Sequence, residues 1–114
     1  MHYALLVSND ETAVISDEER SRRDAAFISF QDEMRMNGVL VSGERLHSTD
    51  TATTVRCWDG GDVIITDGPS AQTREQMAGF FIIDCKDLDE AITVATQVPA
   101  AWYGAVEVRP VRET

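Results

Sequence analysis

Between Thr66 and Val111 the chain spells out a strand, a helix and a second strand, in an order that leaves few folds open. An Asp67-Gly68-Pro69 turn leads into Ala78–Cys85, which is apolar at both strand parities. Such a run suits a central strand covered on both faces. Asp87 then stands as the cap of a helix whose apolar positions are Leu88, Ala91, Ile92, Ala95 and Val98, and Pro99 marks its end. Ala105 to Val111 alternates, with Val106 and Val108 expected inward and Glu107 and Arg109 outward.

The first half follows the same plan. Tyr3–Val7 reads as a strand. Ser16-Asp17-Glu18-Glu19 reads as a capping box, in which the serine hydroxyl accepts a backbone amide and Glu19 reaches back. Glu18 with Arg22 and Glu19 with Arg23 are favourable pairs one helical turn apart. Phe27, Phe30 and Met34 define the buried face, and Asn37-Gly38 stops the helix. Val39–Leu46 returns as a strand, followed by a polar loop from His47 to Thr51. Two β-rich runs, Thr53–Trp58 and Asp62–Asp67, are joined through Asp59-Gly60-Gly61, a hairpin signal because tight turns need positive φ. Thr73-Arg74-Glu75-Gln76 is a second capping box, expected to give one helical turn.

The order is β-α-β, a hairpin, then β-α-β. The expectation is a single α+β domain over residues 1–114, a ferredoxin-like split βαβ with an inserted β-hairpin. A sheet of that kind carries helices on one face only. The strands are too apolar to leave the other face to water, so a homodimer stacked sheet on sheet is the simplest cover.

Composition narrows the partners. The 114 residues are 43% hydrophobic, enough for one ordinary core, and the formal net charge is −10. That charge argues against nucleic acid and anionic membranes, which need a cationic footprint. No apolar run reaches membrane-spanning length, and Tyr3–Val7 is too short and lacks the basic flank of a signal peptide, so a cytoplasmic setting is the default. Cys57 and Cys85, far apart and in apolar strand contexts, read as two free and mostly buried thiols. His2 and His47 have no partner at ligand spacing, so no metal site is implied.

Three side chains are candidates for catalysis. Asp67 shares strand parity with Val63 and Ile65, so the strand's better apolar face ends in a carboxylate. Desolvation there would raise its pKa and ready it for proton transfer. The competing role is a side-chain cap on the Gly68-Pro69 turn. Glu44 shares parity with Leu40, Ser42 and Leu46 and is the second candidate, against a salt bridge to Arg45, Arg56 or Arg109. His47 follows in the loop, within reach of the same strand end or simply solvated. Thr66, Ser70 and Thr73 supply hydroxyls around the Asp67 turn for ligand binding. No serine elbow or Ser-His-Asp order accompanies them.

Several pieces, in order, resemble one family. They are the opening apolar strand, Gly43-Glu44-Arg45-Leu46, Thr51-Ala52-Thr53-Thr54-Val55-Arg56, Asp67-Gly68-Pro69, Glu75-Gln76, Asp87-Leu88-Asp89-Glu90-Ala91 and Val106-Glu107-Val108-Arg109-Pro110-Val111. Together they resemble the DGPF-type branch of the YCII-related family. The branch's four-letter motif ends in Phe, where this chain has Ser70. The resemblance implies a dimeric α/β barrel, a superfamily with small-molecule isomerases, dehalogenases and monooxygenases that work without metal or organic cofactor. It also implies a link to sigma factors of the extracytoplasmic-function class. Two functions follow as expectations. One is a cofactor-independent enzyme on a small oxygenated molecule, with Asp67 as acid or base beside Glu44 and His47. The other is a non-catalytic ligand-binding or regulatory module.

Overall fold

The computed structural model describes residues 1–113. Among the described residues, six strands and two α-helices run in the order β1 (His2–Asp10), α1 (Asp17–Met36), β2 (Leu40–Arg45), β3 (Thr53–Cys57), β4 (Val63–Asp67), β5 (Glu75–Asp84), α2 (Leu88–Ala95) and β6 (Ala105–Pro110). Four strands form one antiparallel sheet in the order β2-β5-β1-β6, and β3 and β4 pair only with each other. This is the ferredoxin-like arrangement with an inserted hairpin that the order of elements predicts.

Local chemistry sets the helix ends. Ser16 accepts the Glu19 amide at 3.0 Å, as the capping box requires. The Glu19 carboxylate does not reach back to Ser16. It binds Arg22 at 2.9 Å and Arg23 at 3.2 Å, which takes Arg22 away from the expected partner Glu18. Asp87 caps α2 through the Glu90 amide. Leu88 and Ile92 are exposed, whereas Val94 is buried with Ala91, Ala95 and Val98, so the buried face of α2 is rotated from the one the apolar spacing suggested. The second capping box is not helical. Glu75 and Gln76 already belong to β5, Thr73 donates to the Glu75 carbonyl, and Gln76 donates to Ala71 and Thr73.

The core lies between the sheet and the two helices, with Ala91, Val94, Ala95 and Val98 contributed from α2 and its exit. Tyr3, Leu5 and Val7 from β1 and Phe81 and Ile83 from β5 meet Phe27, Phe30 and Met34. Phe81 is the hub, with its ring centroid 5.2 Å from Phe30, edge on, and 6.3 Å from Phe27. Gly43 pairs with Phe81 across β2 and β5, and a Cβ there would sit 2.5 Å from the Phe81 ring. The opposite parity, Ala4 and Leu6 with Phe80 and Ile82, is only half-buried. The Cα framework is 19 Å through its thinnest dimension, a two-layer thickness. The second face of β5, expected to be covered, is therefore bare within one chain.

The β3–β4 hairpin stands apart as an arm. Its turn uses Gly60 and Gly61 at φ 101° and 97°, the conformation the sequence anticipated. Cys57 is exposed on this arm while Cys85 is buried, so only one of the two expected buried thiols is buried. The reason is that no helix of the same chain covers the arm. Gly43→Ala is expected to destabilise the protein by about 1–3 kcal/mol, because the wedged Phe81 ring has nowhere to go. Equilibrium denaturation in urea measures that difference.

Candidate functional site

One cleft combines enclosure with chemistry. It opens at the end of the sheet where β1 runs into α1, has a volume of about 270 Å³, and is floored by Val7, Ala78, Gly79 and Phe81. Two features of the sheet create its room. Val7 pairs with Gly79 but Ser8 with Met77, so Ala78 is an extra residue that bends β5. Gly79 also faces Arg45 across the strand pair, and a Cβ on it would lie 2.8 Å from the Glu44 carbonyl. A side chain there would close the strands' approach and fill the floor.

The walls are cationic and aromatic. Arg20, Arg23 and Phe27 come from α1, Arg45 from the end of β2, and Ala100 and Tyr103 from the 3₁₀ turn after α2 and its exit. The Arg23 guanidinium lies 3.7 Å from the Tyr103 ring centroid and donates to Glu19. Arg45 donates to Asp24 at 2.8 Å and stands 5.0 Å from the Phe27 ring. Burial pushes the Tyr103 phenol above its ordinary value, against the opposing pull of Arg23 and Arg45, so the hydroxyl keeps its proton at neutral pH. A protonated phenol beside guanidinium groups can donate to an oxygen of a bound molecule and stabilise charge forming on it.

The acidic residues at the rim are held by neighbours. Asp10 accepts the Thr12 amide and hydroxyl at 2.9 and 2.6 Å and meets Arg74 at 3.3 Å, and the Thr12 bonds hold its carboxyl below the usual range. Glu11 accepts the Thr49 amide and hydroxyl at 2.9 and 2.6 Å, which ties the loop before α1 to the turn after β2. Among the described residues, no group of three His, Cys, Asp or Glu side chains converges as metal ligands would. No helix among them is long and apolar enough to cross a membrane.

The candidates singled out in sequence fall in several places. Glu44 lines the cleft, makes no ion pair among the described residues, and pairs in register with Phe80 on the bare face of the sheet. The arginines offered as its partners are engaged elsewhere: Arg45 with Asp24, Arg109 with Glu107, and Arg56 with the Ser70 carbonyl. His47 is exposed and lies outside the cleft lining. Asp67 is not desolvated as its parity suggested, because every residue of β4 is exposed in the single chain. Nor does its side chain cap the turn. The Thr54 hydroxyl holds that turn by donating to the Gly68 carbonyl at 2.7 Å, and the Gly68 amide reaches Ala52. Thr66 stays on the exposed arm, Ser70 offers only its carbonyl to Arg56, and Thr73 edges shallower clefts beside Arg74. Of these residues only Glu44 borders the cleft, with its side chain at the parity of the bare sheet face, and Asp67, His47, Thr66, Ser70 and Thr73 lie outside the lining.

Arg20, Arg23 and Tyr103 were not singled out in sequence, yet two of them carry a readable signal. Positions 20, 23, 27, 30 and 34 fall on one helical stripe. The stripe that buries Phe27, Phe30 and Met34 thus begins with two arginines, which aims cations at whatever the core leaves open. Tyr103 has no such signal, because it is placed by an irregular turn.

Comparison with known proteins agrees with this architecture. The family model described as the YCII-related domain matches residues 1–114. The chain is 39% identical over 116 residues to an uncharacterized protein of Rhizobium meliloti strain 1021, the match covering 96% of this chain and 91% of that one. Among solved structures it is similar to the 5-chloro-2-hydroxyhydroquinone dehydrochlorinase of Burkholderia phenoliruptrix, in complex with 2,5-dihydroxybenzoquinone. That likeness has a TM-score of 0.56 at 15% identity and covers 100% of this chain and 96% of the other.

The Asp67 turn yields a direct test. Thr54→Val is expected to cost about 1 kcal/mol through the lost bond to Gly68. Asp67→Ala, which removes no hydrogen bond seen in the structure, is expected to leave the melting temperature unchanged. Parallel thermal melts compare the two.

Proposed function

The chain belongs to the YCII-related family, and on that premise we propose that it transforms a small oxygenated organic molecule in the cleft between α1 and the sheet. The reaction proceeds by proton transfer and charge stabilisation, without an organic cofactor. The observation that carries this reading is the Arg23–Tyr103 stack, 3.7 Å from guanidinium carbon to ring centroid, inside a cleft sized for a small ligand. Tyr103 donates its proton to a substrate oxygen, and Arg23 stabilises the charge that remains. The solved neighbour's activity on a hydroxylated ring supports small-molecule chemistry on this fold.

A homodimer belongs to the same reading. The bare sheet face carries Leu6, Phe80 and Ile82, and the arm carries Val55, Val63 and Ile65 with no cover from their own chain. Stacking two copies buries apolar surface that water otherwise wets. Asp67 ends the arm's apolar strip, so a second copy is also what would desolvate it. Light scattering is expected to give twice the 12.6 kDa chain mass.

Turnover is tested by incubating the protein with a panel of hydroxylated and halogenated one-ring compounds and following absorbance and product mass. The expected result is turnover that Tyr103→Phe lowers about a hundredfold or more with the melting temperature kept. Ligands that bind in the cleft and leave unchanged would instead identify a non-catalytic ligand-binding module. The state of Tyr103 is tested separately. In the Tyr3→Phe variant it is the remaining tyrosine, and its ultraviolet titration is expected to have a midpoint above that of a free phenol.

A further inference from the structure

Resting on the cleft reading, we infer that Arg20 is the specificity-determining residue of the site and that the ligand it selects is a small organic carboxylate with an apolar body. Most of the charges around the cleft are already committed. Arg23 is bound to Glu19 and covers Tyr103, and its side chain is only 21% exposed. Arg45 is bound to Asp24. Arg20 lines the same cleft and makes no ion pair among the described residues. It is a guanidinium with its donor fork unoccupied, one turn of α1 outward from Arg23.

Among the described residues, no carboxylate fills that fork. Both Asp10 oxygens are engaged, one by Thr12 and the other by Arg74. Both Glu11 oxygens are engaged by Thr49. Glu44 shares the strand parity of the bare sheet face, away from α1. The guanidinium fork matches a carboxylate with two parallel hydrogen bonds, a match that neutral groups do not reproduce. The apolar floor asks for a body without charge, and about 270 Å³ limits that body to roughly one ring or a short branched chain. Long-range repulsion from an acidic protein is screened over about 8 Å at physiological salt, so the direct contact decides.

The experiment compares 4-hydroxybenzoate with 4-hydroxybenzamide, of nearly the same shape but without the charge. Titration is followed by amide NMR signals of Ala78 and Gly79 on the cleft floor. The expected result is movement of those signals by the benzoate at about tenfold lower concentration than by the benzamide. That preference should be lost in Arg20→Gln and kept in Arg22→Gln, a control on the same helix bound to Glu19 outside the cleft. Equal midpoints for the two probes, or a preference that survives Arg20→Gln, overturn the role of Arg20 and leave the cleft reading in place. Signals that move only outside the cleft overturn the cleft reading itself. Absence of any shift with the benzoate overturns the carboxylate inference, and a benzamide that still moves the floor signals then keeps the site without the charge selection.

Discussion

The fit of the Phe81 ring against Gly43 governs the rest of the structure. The ring fills the space that a β2 side chain would otherwise claim, and Phe27 and Phe30 close over it from α1. That contact fixes the height and rotation of α1 above the sheet. The rotation in turn sets where the stripe of positions 20, 23, 27, 30 and 34 meets β1 and β5. Because the stripe is apolar only from Phe27 onward, the core stops there, and the space beyond it is lined by arginine. The cleft is the continuation of the core past the point where the sequence runs out of hydrophobic side chains.

Electrostatics then divides the labour among the arginines. A guanidinium over an aromatic ring needs a counter-charge nearby when it is largely removed from water. Glu19 supplies it for Arg23, whose side chain is mostly buried, while Asp24 pairs with the half-exposed Arg45, both from α1. These pairs hold the walls in one geometry and keep Tyr103 in a setting where burial outweighs the cations' pull on its proton. Arg20 lines the cleft outside this arrangement, with no ion pair among the described residues. The Asp10–Thr12 and Glu11–Thr49 bonds fix the rim by the same logic, with carboxylates spent on holding loops.

The arm follows a different rule. A two-stranded hairpin is marginal alone in water. Here it exposes apolar side chains on two strands that pair with each other alone, so each strand also keeps an open edge. Its surface and the bare face of the main sheet are two uncovered apolar regions on one chain. In the homodimer proposed above, a second copy covers both.

Sequence by itself determined what depends on neighbours a few residues away. The Ser16 and Asp87 caps, the Gly60-Gly61 turn, the buried face of α1 and the alternation of β6 were legible because a cap, a turn or a periodicity is settled within one or two turns of chain. The order of those elements was enough to specify the ferredoxin-like sheet. Only the tertiary structure decided the rest. Leu88 and Ile92 gave way to Val94 because the sheet, not the helix's own spacing, chose which side of α2 to bury. Glu75 and Gln76 joined β5 because pairing with Asp10 and Asn9 on β1 outweighed a local capping signal. Asp67 stayed in water because strand parity says which residues share a face, not whether anything covers it. The cleft brings together residues from three distant segments, Arg20 and Arg23, Arg45, and Tyr103. Their approach follows from packing α1 and the turn after α2 on one face of the sheet, a long-range result that local pattern does not carry.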